Sequence, residues 1–180
     1  MKLKKIKRMV VAGTAILMTL SLAGCGIGSD SVKLGAAGVG GGYYAFSNAF
    51  AQIASSEDED LDFEVKATAG STANIRLLSD GYVDMAIAQA DLVDAAYNGT
   101  GATDKKRYRG YSAVASLYTE ACQIVVRADS GIDSLDDLQG KKISVGEEES
   151  GTQRNAEQIL KMTGLVESLV DTVNLDYVDA

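Results

Sequence analysis

The sequence contains no histidine and no tryptophan, and its only cysteines are Cys25 and Cys122. Without histidine, Ser-His-Asp and Cys-His catalysis are excluded, and any metal site lacks its commonest ligand. Without tryptophan, a cleft that stacks sugar rings is less favoured, although eight tyrosines could replace it. Positive charge is also scarce, with 17 basic against 25 acidic residues. The composition therefore argues against nucleic acid as a partner.

The first 24 residues have the pattern of an export signal. Five basic residues lie within the first eight positions, and an apolar run from Met9 to Gly24 follows them. This run has 16 residues, whereas a membrane-spanning helix needs about 20. It ends in Leu22-Ala23-Gly24-Cys25, which resembles the lipobox of bacterial lipoproteins. The pattern predicts a lipoprotein signal peptide over residues 1–24 and a lipid on Cys25.

Two alternatives remain for this segment: an ordinary signal peptide with an unrelated cysteine, and an uncleaved helical anchor. Removal of residues 1–24 leaves 12 basic against 25 acidic residues, a net charge of −13. This charge argues against an anionic membrane surface as the main partner. Residues 25–31 are small and polar, as expected of a tether. We therefore expect an extracytoplasmic protein that a lipid anchor attaches to the cell membrane.

Strands and helices are predicted to alternate along the rest of the chain. Period-two apolar patterns predict strands, and apolar residues at helical spacing predict helices that begin at glycines or hydroxyl residues. A strand over 122–127 would make Cys122 a core residue. The alternation predicts an α/β fold with a largely parallel sheet. Strands are predicted at 32–37, 61–65, 83–88, 111–118, 122–127, 141–146 and from 173 onward; helices are predicted over 43–54, after Gly70-Ser71 as far as Asp80, over 90–97, and after Ser150-Gly151-Thr152 as far as Gly164.

Four glycine or hydroxyl positions share one place in this pattern, just after a strand and at the head of a helix. They are Gly40-Gly41-Gly42, Gly70-Ser71, Gln89 and Ser150-Gly151-Thr152. In open α/β sheets ligands bind at this edge, and helix N-termini accept carboxylates or phosphates through backbone N–H groups. We therefore expect an anion-accepting cleft. Two alternatives are a degenerate dinucleotide loop at the glycines and simple helix capping by Ser71 or Ser150.

Several stretches of the chain resemble the TAXI family, the extracytoplasmic receptors associated with TRAP transporters. They run in family order from about residue 33 to residue 165. The stretches are Gly-Val-Gly-Gly-Gly-Tyr-Tyr (38–44), Ala-Gly-Ser-Thr-Ala-Asn-Ile-Arg-Leu-Leu (69–78), Val-Asp-Met-Ala-Ile-Ala-Gln-Ala-Asp (83–91), Leu-Tyr-Thr-Glu (117–120), Val-Val-Arg-Ala-Asp-Ser-Gly-Ile (125–132), Leu-Gln-Gly-Lys-Lys-Ile-Ser-Val-Gly (138–146) and Ser-Gly-Thr-Gln-Arg-Asn-Ala (150–156).

The resemblance implies a type II periplasmic-binding-protein fold whose two lobes close on a small carboxylated solute, a glutamate-like amino acid or a dicarboxylate. It implies delivery of that solute to a TRAP-type membrane permease, with no enzymatic activity, cofactor or metal. Lobe I would cover residues 32–121, and lobe II would begin at residues 122–180. Carried over position by position, the ligand-binding residues would be Gly41, Gly42, Tyr43, Ser71, Asn74, Gln89, Tyr118, Ser150 and Thr152.

The chain departs from the family pattern in two ways. Where relatives commonly have Pro-Gly before Ser-Gly-Thr, this chain has Glu148-Glu149, which adds negative charge beside the predicted site. The family also needs about 300 residues for two complete lobes, so we expect an N-terminal piece of a longer receptor. Arg76 is predicted to be a helix-surface residue without a role in binding. Two other functions remain open: a surface lipoprotein with an adhesive or antigenic role, and an exported enzyme that uses carboxylates.

Overall fold

Two parallel sheets organise the part of the chain that the computed structural model describes, which is residues 31–101, 105–166 and 168–180. Residues 32–180 form one compact unit. The predicted signal peptide, Cys25 and almost all of the tether lie outside the described residues. The mixed α/β class with parallel sheets is confirmed.

The first sheet has three strands in the order β2-β1-β3. These are β1 (Val32–Gly35), β2 (Phe63–Lys66) and β3 (Met85–Ala86), and both pairings are parallel. Because β1 is central, its Leu34 is almost fully buried. Parallel pairing places the carboxyl ends of all three strands at one edge of the sheet, where the loops to the following helices begin.

Three helices follow the strands of this sheet: α1 (Gly42–Glu57), α2 (Ser71–Ser79) and α3 (Ala90–Asn98). Helix α1 packs on the sheet through Phe50, whose ring lies edge-on to the ring of Phe63 in β2 with 5.3 Å between centroids. Helix α2 buries Ala73 and Ile75. Helix α3 ends at Gly99, whose φ of 70° is the left-handed conformation that favours glycine. The three helices begin close to the residues where the sequence predicts them.

The second sheet pairs β4 (Lys142–Ser144) with β5 (Asp171–Val173). Helix α4 (Gly151–Thr163) connects the two strands, and a 3-10 turn (Leu135–Leu138) precedes β4. The hydroxyl of Ser150 caps α4 by accepting a hydrogen bond from Gln153 N at 2.9 Å, and Gly164 ends the helix with a φ of 76°. The second sheet, α4 and the 3-10 turn are called the second half of the unit, and the first sheet with its three helices is called the first half. A small apolar core in the second half consists of Leu138, Leu165 and Val170.

The strands predicted over 111–118 and 122–127 do not form. Residues 112–129 are exposed throughout, and no strand in the described part of the chain pairs with them. The predicted core position of Cys122 is also wrong, because this cysteine is exposed. Period-two alternation marks a segment that is able to join a sheet, but a strand exists only when a ladder partner is present. The lobe boundary between residues 121 and 122 stays a prediction.

Candidate functional site

A small cavity of about 70 Å³ lies where the carboxyl edge of the first sheet faces the head of α4. Seven of the nine predicted ligand-binding residues line it, which means that four separate loops converge as the sequence predicts. These seven are Gly41, Gly42, Tyr43, Ser71, Gln89, Ser150 and Thr152. Four further lining residues are not among the nine, namely Ala37, Glu120, Gly151 and Tyr177, and of these Gly151 belongs to the predicted helix head Ser150-Gly151-Thr152.

The head of α4 approaches the first sheet so closely that a Cβ atom at its first position would overlap the side chain of Gln89. A Cβ atom added to Gly151 would lie 2.4 Å from Oε1 of Gln89 and 3.0 Å from Oγ of Ser71. Nearby, Gly70 has a φ of +118° and faces Ser150, whose Cα would be 3.6 Å from an added Cβ. The two glycines therefore bring the backbone of one half of the unit against the other half, and the cavity lies at this contact.

Hydroxyl groups line two sides of the cavity. Ser71 is almost fully buried, and its Oγ accepts a hydrogen bond from Gln89 N at 3.1 Å. Across from it, Thr152 Oγ1 and the hydroxyl of Tyr177 are 3.2 Å apart. The capping alternative holds for Ser150, whose hydroxyl bonds within α4, but not for Ser71, which makes no capping bond. Ser71 and Thr152 thus both line the cavity without capping a helix.

The cavity also has an acceptor side. The hydroxyl of Tyr43 donates to Oε2 of Glu120 at 2.9 Å. Burial raises the pKa of Tyr43; a bond with Ser71 lowers it, and the bond and charge of Glu120 raise it further. Oε1 of Gln89 is buried and has no hydrogen-bond partner in the described residues. The site therefore offers a carboxylate and an unpaired amide oxygen together with hydroxyl donors.

Two predicted site residues lie outside the cavity lining. Asn74 is fully buried, and its amide nitrogen donates to Ala36 O at 2.5 Å and to Ile87 O at 2.8 Å. Its Oδ1 accepts from Thr68 Oγ1 at 2.7 Å, so the side chain is used in holding the ends of β1 and β3 together. The expectation that Asn74 contacts solute is corrected accordingly.

Tyr118 lies beside the cavity instead of in its lining. Its hydroxyl would be 3.9 Å from a Cβ added to Gly42, and its ring lies 6.3 Å from the ring of Phe46. About half of the side chain is exposed. Tyr118 therefore packs against helix α1, while Glu120, two residues later, lines the cavity.

Arg76 lies on the partly exposed surface of α2, as predicted, and it forms an ion pair with Glu149. Nη2 of Arg76 lies 2.6 Å from Oε2 of Glu149, and Nε donates to Oε1 at 3.3 Å. The carbonyl oxygen of Glu149 accepts from the N–H groups of Thr72 at 3.1 Å and Ala73 at 3.2 Å. Two of the N–H groups in the first turn of α2, which have no partner within the helix, thus donate to Glu149. They are not available to an anion.

The described residues contain no group of three or more histidine, cysteine or acidic side chains that could hold a metal ion. None of the helices described is long and apolar enough to cross a membrane.

One comparison with known proteins bears on this site. Residues 34–180 match the NMT1-like family. The match includes every element of both sheets except the first two residues of β1, and it includes all of the residues that line the cavity.

Proposed function

Because the chain belongs to the NMT1-like family, a family of the periplasmic-binding-protein type with a solute-binding role, we propose that it captures a small carboxylated solute. The solute is a glutamate-like amino acid or a dicarboxylate. The protein is a receptor and not an enzyme, and it uses no cofactor.

The observation that carries this proposal is the convergence of hydroxyl donors and helix heads on one cavity. The hydroxyls of Ser71, Thr152 and Tyr177 face the space between the two halves of the unit. Helices α1 and α4 both begin at this cavity, with Gly42 and Gly151 in the lining. N–H groups at a helix head that lack a partner within the helix can stabilise a carboxylate in the absence of arginine. The described residues that line this cavity include no arginine, so the helix heads are its source of positive potential.

Of the two solute classes, the acceptor side of the cavity favours a glutamate-like amino acid, which carries an ammonium group, over a dicarboxylate that carries none. Glu120 places a negative charge in the lining, and Oε1 of Gln89 is an acceptor that lacks a donor. An ammonium group satisfies both, whereas a second carboxylate near Glu120 is repelled.

The location and partner of the receptor follow from the N-terminal sequence and the family resemblance. The Leu-Ala-Gly-Cys sequence that ends at Cys25 supports a lipid anchor on the outer side of the cell membrane. The stretches that resemble the TAXI family support delivery of the solute to a TRAP-type permease. Cell-surface labelling of Cys25-anchored protein and co-purification with the permease subunits are the corresponding measurements.

Calorimetric titration of the mature protein with L-glutamate and with 2-oxoglutarate tests solute capture. Ser71→Ala and Thr152→Ala should each weaken binding by about 1 to 3 kcal/mol, the cost of leaving a charged acceptor unpaired. Ser56→Ala is the matched control, because this hydroxyl is exposed on α1 and bonds only Ile53 O. Absence of binding, with no solute raising the melting temperature, would favour an adhesive lipoprotein. Turnover of either solute would favour the carboxylate enzyme.

A further inference from the structure

We propose that Glu149 is the positioning residue of the cavity, because it joins the head of α4 to the head of α2. This inference rests on the proposed solute-binding function, and it concerns how the site is held together and not which solute it takes. Glu149 does not line the cavity itself, but it is adjacent in sequence to Ser150, which does. Its carbonyl oxygen bonds Thr72 N, and Thr72 directly follows Ser71, another lining residue.

Three sets of contacts fix Glu149 in place. Its carbonyl oxygen accepts from Thr72 N and Ala73 N, which takes the position that a solute anion would occupy at the head of α2. Its carboxylate pairs with Arg76 of α2 through both oxygens. Its own N–H donates to Oε1 of Gln153 at 3.0 Å, which ties it to the first turn of α4. One residue thus bonds both helix heads.

The backbone of Glu149 supports a positional role. Its φ of 63° makes it the one non-glycine residue with a positive φ in the described part of the chain. This conformation is unfavourable for a residue with a Cβ atom and persists where surrounding contacts hold it. Glycine would adopt the same φ without strain. Glutamate at this position therefore carries backbone strain and supplies the pair to Arg76.

The pair can act on the solute site through closure. Arg76 lies in the first half of the unit and Glu149 in the second, so the pair exists only while the two helix heads are together. It therefore favours the arrangement in which Ser71 and Thr152 face one cavity. The carboxylate of Glu149 is therefore directed at Arg76, and Glu149 is not part of the cavity lining.

Binding of L-glutamate to the mature protein tests this inference with four variants. Arg76→Gln and Glu149→Gln should each weaken affinity about three- to fivefold, mainly through faster dissociation. Each variant removes the partly exposed ion pair, and such a pair changes an equilibrium constant by up to about fivefold. The double variant should be no worse than either single variant. Glu148→Gln is the matched control, because it makes the same charge change at a side chain outside the pair, and it should stay within twofold.

Two further readouts separate positioning from general stability and from the identity of the solute. Glu149→Gly relieves the backbone strain, so the melting temperature should not fall while affinity does. In solute-free protein, hydrogen exchange at the Thr72 and Ala73 amides should be faster in Arg76→Gln and Glu149→Gln than in the unmodified chain and in Glu148→Gln. Unchanged exchange in both variants would overturn the inference whichever solute binds. Failure of the unmodified protein to bind L-glutamate, with exchange responding as expected, would count against the proposed function alone.

Discussion

The substitution Gly151→Ala is expected to impair solute binding without unfolding the protein. The added methyl carbon would lie 2.4 Å from Oε1 and 2.7 Å from Cδ of Gln89, about 1 Å inside ordinary contact distance. The nearest atoms belong to the end of a flexible side chain, so the amide of Gln89 is expected to move while the backbone stays in place. The cost is that of overpacking, about 1 to 3 kcal/mol.

This cost should appear in binding and not in stability. Alanine at a helix position with an ordinary φ stabilises the fold by about 0.4 to 1 kcal/mol relative to glycine, which offsets part of the overpacking. The clash exists only where α4 meets the first sheet, so separation of the two heads relieves it. Solute binding requires that contact, and a loss of about 1 to 3 kcal/mol corresponds to roughly 5- to 150-fold weaker binding.

Calorimetric titration and thermal unfolding measured on the same preparation decide the matter. Gly42→Ala is the reference for the stability measurement alone, because it is also the first residue of a helix and its added Cβ would meet only the Tyr118 hydroxyl, at 3.9 Å. The melting temperatures of the two variants should be similar. Unchanged affinity in Gly151→Ala, or a melting temperature far below that of Gly42→Ala, would refute the proposed contact between α4 and Gln89.

Three further predictions concern single residues. Asn74→Ala should lower the free energy of unfolding by at least about 3 kcal/mol in urea titrations, because it removes the side-chain donor of two buried carbonyl groups and the acceptor of the Thr68 hydroxyl. A loss below about 1 kcal/mol would contradict this role. Because the pKa of Tyr43 is raised, the folded protein retains the phenol proton to higher pH than the unfolded chain does, so the contribution of Tyr43 to stability is full below pH 10 and falls as the pH rises further. Tyr43→Phe should reduce this loss of stability at alkaline pH. An unchanged dependence of stability on pH would count against the prediction. Mass spectrometry of membrane-extracted protein should find a lipidated Cys25 at the N-terminus, and an intact Met1 would contradict it.

Helix heads and helix ends were predictable because their signals are local. Helix α4 begins after the capping hydroxyl of Ser150 and ends at Gly164, which has a left-handed conformation. Both signals lie next to the helix in the sequence. The shared edge followed as well, since parallel strands bring all of their carboxyl ends to one side. Seven of the nine residues that the family resemblance implied as ligand contacts lie in the cavity lining.

The remaining contacts depend on residues that are distant in the chain and carry no local signal. Glu120 and Tyr177 belong to segments outside any helix or strand. The strand predicted from residue 173 onward ends at Val173, so its alternating pattern does not give the direction of the Tyr177 side chain. The pair between Arg76 and Glu149 spans 73 positions. Asn74 has the residue type of a ligand contact, but burial behind β1 directs its amide to the backbone. Residues 111–118 show that alternation cannot supply the neighbour that a strand requires.

The lining of the cavity has a consequence for the order of folding. Its residues begin at Ala37, just after β1, and end at Tyr177, just after β5, so no early segment of the chain contains the site. A nascent chain that has formed only the first sheet therefore lacks the side of the cavity that Ser150, Thr152 and Tyr177 provide, and solute is not expected to act as a template for that sheet. Once both sheets are formed, bound solute stabilises them as a single unit by RT ln(1 + [L]/Kd). Solute should thus slow local opening of the second sheet as much as opening of the first.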